Sequence, residues 1–109
     1  MHELGITRTI VTIASEQAEG GKVIRVLLEI GQLSAVMPDA IRFCFDVVSQ
    51  GTVLQGAQLQ INETPGRARC QDCGREFTLQ QLPARCACDS ARLDILAGED
   101  LIVKEIEVI

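Results

Sequence analysis

Apolar positions recur along this chain at two different periods. From Lys22 to Ile30 the period is two: Ile24, Val26, Leu28 and Ile30 alternate with Arg25, Leu27 and Glu29. Successive strand side chains point to opposite faces, so this segment presents one fully apolar face that calls for helices over it. Ala57 to Asn62 repeats the pattern, with Ala57, Leu59 and Ile61 opposed to Gln58, Gln60 and Asn62. Leu101 to Ile109 predicts a last strand, with Ile102, Ile106 and Val108 in phase and Lys104 out of step, where a bulge fits. Between these strands Pro38 opens a segment of helical period. Ile41, Cys44, Phe45 and Val48 form one stripe, which Phe43 and Val47 widen. Proline and Asp39 suit a first helical turn, and Gly51 suits the stop. Residues 3–19 carry a mixed signal. Ile6, Ile10, Ile13 and Ala14 share a helical face, yet Ile6 to Ile13 is rich in β-branched residues that favour a strand. The polar run Ser15 to Glu19 before Gly20-Gly21 reads as a helix end, so the segment is predicted helical.

The order is then helix, strand, helix, strand, an interruption at Pro65-Gly66, and a final strand. This predicts an α+β fold: a small β-sheet covered by two helices, with an inserted subdomain. The expected division is residues 1–66 plus 97–109 for the αβ domain and 67–96 for the insertion. Within the insertion Leu93 to Leu96 is expected to pair with the outgoing side of the block, and Gly98-Glu99-Asp100 to turn.

Composition narrows the picture. The apolar fraction is 47% with three Phe and no Trp or Tyr, so the core must be Ile, Leu and Val. A net charge of −5 and a pI near 4.8 argue against a nucleic-acid or anionic-membrane binder. No apolar run approaches the roughly 18 residues of a membrane span, and no signal peptide is read at the start. A cytoplasmic location is expected, where thiols stay reduced and paired cysteines serve metals more often than disulfides.

Four of the five cysteines fall in the insertion as two close pairs, Cys70-Gln71-Asp72-Cys73 and Cys86-Ala87-Cys88. Four thiolates complete a tetrahedral zinc shell and leave no position open for hydrolytic chemistry. Iron in a rubredoxin-like electron carrier is the competing occupant. The block has few apolar residues of its own, so a metal would supply much of its folding free energy. It also holds Arg67, Arg69, Arg75, Arg85 and Arg92, either to offset thiolate charge or as a solvated surface. Cys44 sits in an apolar helical stripe and reads as a small hydrophobe.

Met1-His2-Glu3 offers a second donor set. A terminal amine, the His2 amide nitrogen and its imidazole can close fused chelate rings on one ion, with Glu3 adding an amide nitrogen or a carboxylate oxygen. Such nitrogen-rich sets suit Ni(II) or Cu(II). No nucleophile–base motif and no phosphate-binding Gly-Lys-Ser/Thr loop is present, so the chain is expected not to be an enzyme.

Taken together, Met1-His2-Glu3, Glu29-Ile30-Gly31, Phe43-Cys44-Phe45-Asp46, Gly56-Ala57 and the Cys70 to Cys88 block resemble the HypA/HybF family of nickel metallochaperones. The resemblance implies Ni(II) held at Met1, His2 and Glu3, and structural Zn(II) on Cys70, Cys73, Cys86 and Cys88. It also implies a HypB-type GTPase and the [NiFe]-hydrogenase large-subunit precursor as partners, or urease maturation in some members. It implies a helix for the first segment. One departure stands out. The family usually has two residues between the cysteines of each pair, and here the second pair has one, which makes Cys88 the ligand most in question. The alternative readings are a zinc-ribbon interaction module and the electron carrier. The chain is expected as a monomer or homodimer, without nucleic-acid or membrane partners.

Overall fold

The computed structural model describes residues 2–109. Helix α1 (His2–Gln17) leads into strand β1 (Val23–Gly31), helix α2 (Pro38–Val48) and strand β2 (Gln58–Thr64). The insertion supplies β3 (Gly66–Cys70), β4 (Glu76–Leu79) and β5 (Leu93–Ala97), and β6 (Leu101–Val108) closes the chain. One sheet has the order β2-β1-β6, with β1 parallel to β2 and antiparallel to β6. The other is antiparallel, β4-β3-β5. Leu93 onward does form a strand on the block, but β5 pairs with β3, the strand that enters the block, and not with its outgoing side. The molecule is elongated, 52 × 25 × 16 Å. Among the described residues no helix is long and apolar enough to cross a membrane.

Both helices cover one face of the β2-β1-β6 sheet. Val26, Leu28 and Ile30 of β1 meet Ile10, Val11 and Ala14 of α1 and Ile41 and Phe45 of α2 in one core. Fully buried side chains such as Leu28, Ile30, Ile41, Phe45 and Leu54 each contribute about 1.5–3 kcal/mol. The uncovered face carries ion pairs beside Leu27 and Ile102. Arg25 bonds Glu107 at 3.1 Å and Gln60 at 3.0 Å, and Lys104 meets Glu29 at 3.2 Å.

Three details differ from expectation. Phe43 and Val47 do not widen the buried stripe of α2; they are 73% and 54% exposed. At about 100° per residue, Phe43 lies some 200° round the helix from Ile41, on the side away from the sheet. In α1 the buried line is Thr7, Ile10, Val11 and Ala14, while Ile13 lies at the edge of the covered face, 37% exposed. Thr7 is tolerated there because its hydroxyl donates to the Glu3 carbonyl at 2.7 Å. In β6 the bulge is present at Lys104, since Leu27 pairs with Glu105 and Leu28 with Val103. It shifts the phase, so Leu101, Val103 and Ile106 pack on the core while Ile102 faces out. A second irregularity, at Ile24 of β1, lets Val23 and Val26 both reach the interior.

Candidate metal centre

The turn leaving β3 carries Cys70 and Cys73, and the loop before β5 carries Cys86 and Cys88. Their four Sγ atoms all lie within 4.8 Å of one another. Cys70 and Cys88 are 3.6 Å apart, as are Cys73 and Cys86. Four sulfurs at about 2.3 Å from one tetrahedral zinc stand roughly 3.8 Å apart, so the cluster has the dimensions and the all-thiol donor set of a closed structural site. Cys70 and Cys86 are buried, whereas Cys73 and Cys88 are exposed.

The two turns are built alike despite their different spacing. In the first, the Gly74 N–H donates to the Cys70 carbonyl at 2.9 Å, and the Cys70 N–H to the Arg75 carbonyl at 2.8 Å. In the second, the Asp89 N–H donates to the Cys86 carbonyl at 2.8 Å, and the Cys86 N–H to the Ser90 carbonyl at 2.9 Å. Each pair of bonds closes around the two cysteines and the residue after them. That residue is left-handed in both, Gly74 at φ 77 and Asp89 at φ 74. The second turn is the first with one residue removed. Aspartate is among the few L-residues that tolerate this conformation. The single spacer therefore does not exclude Cys88, whose sulfur sits inside the cluster.

Backbone amides tune the thiols. The Cys73 N–H, opposed by burial and aided by the Asp72 N–H and the Cys88 and Cys73 thiols, draws the Cys70 thiol down to about 6. At Cys88 the Ser90 N–H pulls the other way from the net result. Hydrogen bonds to Cys70 and Cys86, desolvation, and the Cys73 thiol outweigh it and push Cys88 up to about 12.

A polar clasp, not foreseen from the sequence, ties the turns together. Asp72 accepts from the Ser90 hydroxyl and from Arg92 at 3.1 Å, and the Gln71 N–H donates to the Arg92 carbonyl at 2.8 Å. An aspartate between paired cysteines was its one visible signal. Arg67 and Arg85 pair with Glu76 and Asp89. Three of the five arginines of the block are therefore engaged by its own carboxylates.

At the opposite type of site, α1 begins at His2. Its Nε2 lies 3.0 Å from a Glu3 carboxylate oxygen, with the His2 side chain 59% exposed. Met1, the third residue expected there, lies outside the described residues. His2 and Glu3 are in the first helical turn, whose N–H groups have no intrahelical acceptor.

A family model described as "Hydrogenase/urease nickel incorporation, metallochaperone, hypA" matches residues 1–108. The hydrogenase maturation factor HypA of Trichormus variabilis is 61% identical over 108 residues, covering 99% of this chain and 96% of the relative. That of Geobacter metallireducens is 46% identical over 109 residues, with 99% of each chain covered. The solution structure of the Ni metallochaperone HypA from Helicobacter pylori superposes with a TM-score of 0.71 at 23% identity, covering 98% of this chain and 97% of that one. At that identity the likeness establishes a shared fold.

Proposed function

The chain belongs to the HypA family, and from that premise we propose how its residues carry nickel for [NiFe]-hydrogenase maturation. It is a metallochaperone and not an enzyme. The observation that carries this reading is the match over residues 1–108, which spans both the N-terminal tripeptide and the thiol cluster.

Nickel is the cargo, taken by Met1, His2 and Glu3. The exposed His2 imidazole and the adjacent Glu3 carboxylate support this, as does their position in a first helical turn. Amide nitrogens there can lose a proton to a metal without breaking the helix ladder. Exposure also favours release, since an acceptor's ligands can enter one at a time. Zn(II) is the resident metal on Cys70, Cys73, Cys86 and Cys88. It supplies a rigid tetrahedral crosslink, and the chain's own turns, clasp and amide donors aim the sulfurs at it. Residues 1–66 with 97–109 form the nickel-binding domain and 67–96 the zinc-binding domain. The partners are a HypB-type GTPase and the hydrogenase large-subunit precursor, met in the cytoplasm, where the thiols stay reduced.

The test is a cell whose only copy carries His2→Ala. Hydrogenase activity is expected to be lost while the purified variant keeps its zinc. Undiminished activity at limiting nickel would contradict the reading.

A further inference from the structure

The chain crosses between the two sheets twice, from β2 into β3 at Pro65-Gly66 and from β5 into β6 at 98–100. Two such crossings can form a loose hinge. Here three glycines from different segments pack backbone against backbone at the crossing. A Cβ on Gly31, at the end of β1, would fall on the Gly98 carbonyl. One on Gly98 would lie 2.5 Å from the Gly66 Cα and 2.9 Å from the Pro65 oxygen. One on Gly66 would lie 2.6 Å from both the Leu33 side chain and the Leu79 carbonyl oxygen. Real Cβ atoms do not approach this closely, so each position accepts only hydrogen. The segment after β1 completes the seam. The Gly31 N–H donates to the Asp100 carbonyl at 2.8 Å, Gln32 to Thr64 at 2.9 Å and Leu33 to Gly98 at 2.8 Å. The segment 31–33 therefore reaches both crossings, and Leu33 lies over the strand that carries Cys70.

We infer that Gly31, Gly66 and Gly98, with Leu33, are positioning residues that lock the thiol-cluster sheet in one orientation to the sheet and helices bearing His2. Both metal sites then move as one body, and a partner gripping one end meets the other at a fixed place. The lock stands on the packing alone; its consequence for delivery rests on the carrier reading above.

The test uses the zinc-loaded full chain, weakly aligned, with amide residual dipolar couplings measured for both sheets. Wild type is expected to fit a single alignment tensor. Gly31→Ala, a substitution without left-handed strain, is expected to need two tensors while keeping one zinc and its nickel stoichiometry, and to slow nickel transfer to the hydrogenase precursor. Leu33→Ala supplies a second, milder break should Gly31→Ala fail to fold. Gly56→Ala is the control: its φ is 80, but an added Cβ meets nothing within 4 Å, so one tensor should remain. Two tensors in wild type, or one unchanged tensor in whichever of Gly31→Ala and Leu33→Ala folds, overturns the lock. Two tensors with undiminished transfer overturns its positioning role. Absence of transfer from wild type itself counts against the carrier reading, and the couplings still decide the lock.

Discussion

Replacing Gly74 by alanine probes whether the left-handed residue after each cysteine pair is what closes the metal centre. At φ 77 an added Cβ meets nothing within 4 Å, so the cost is that of the backbone conformation alone. A left-handed L-residue costs about 1–2 kcal/mol. If only the closed turn presents Cys70 and Cys73 to one ion, that cost appears as a roughly 5- to 30-fold loss of zinc affinity. Asp89→Gly runs the other way. It relieves strain at φ 74, offset by glycine's extra chain freedom of about 0.5–1 kcal/mol. Little else is lost, because Arg85 donates to the Asp89 backbone carbonyl at 2.8 Å while its contact to the carboxylate is a long 3.9 Å. Zinc affinity should therefore hold or rise by a few-fold. Competition against a chromophoric zinc chelator at fixed pH measures both. Equal affinities for wild type and Gly74→Ala would refute the argument, as would a large loss in Asp89→Gly.

Phe45→Ala should cost about 3–5 kcal/mol in urea unfolding of the zinc-loaded chain, because Phe45 is 2% exposed in the core. Phe43→Ala, two residues away and 73% exposed, should stay within about 0.5 kcal/mol; comparable losses would mean that the helix is rotated from the orientation described. In metal-stripped protein, thiolate absorbance near 240 nm should show a first step centred near pH 6 from Cys70 and a last one near pH 12 from Cys88. The lowered Cys70 value stabilises the folded cluster at alkaline pH, and that contribution fades as pH falls from its ordinary value of 9.0 toward 6. The raised Cys88 value opposes folding above pH 9.0. A single step near pH 9, in protein whose amide spectrum shows the β4-β3-β5 sheet still folded, would show that the sulfurs do not sense one another.

Much of this architecture is legible in the sequence because its signals are local. Alternation in Val23–Gly31, proline at the start of α2 and the cysteine pairs each act through neighbours in the chain. The bulge at Lys104 was visible as a break in pattern, but which residues it turned inward was not, since that depends on register with β1. Thr7 gives no core signal in the sequence, because its hydroxyl is satisfied one turn back, which lets a polar residue hold a core position. Phe43 and Val47 extend the apolar arc of α2 to about 200°, with Asp39, Arg42 and Asp46 on the remaining side, and only the placement of the sheet decides which part of that arc is covered. At the cluster, residue types were enough to name four sulfurs. The equivalence of the two turns was hidden, because it lies in backbone bonds and in Asp89 standing where the first turn has glycine. The glycine seam was likewise out of reach, as three isolated glycines carry no sign that they meet.

The most direct test of the two-metal account is native mass spectrometry of the tag-free chain, with bound zinc counted and nickel titrated, beside His2→Ala. One retained zinc per chain in both proteins, and one nickel that binds wild type and is lost from the variant, is the predicted result. One zinc with nickel binding indifferent to His2→Ala would contradict it and leave a zinc-stabilised interaction module in place of a carrier.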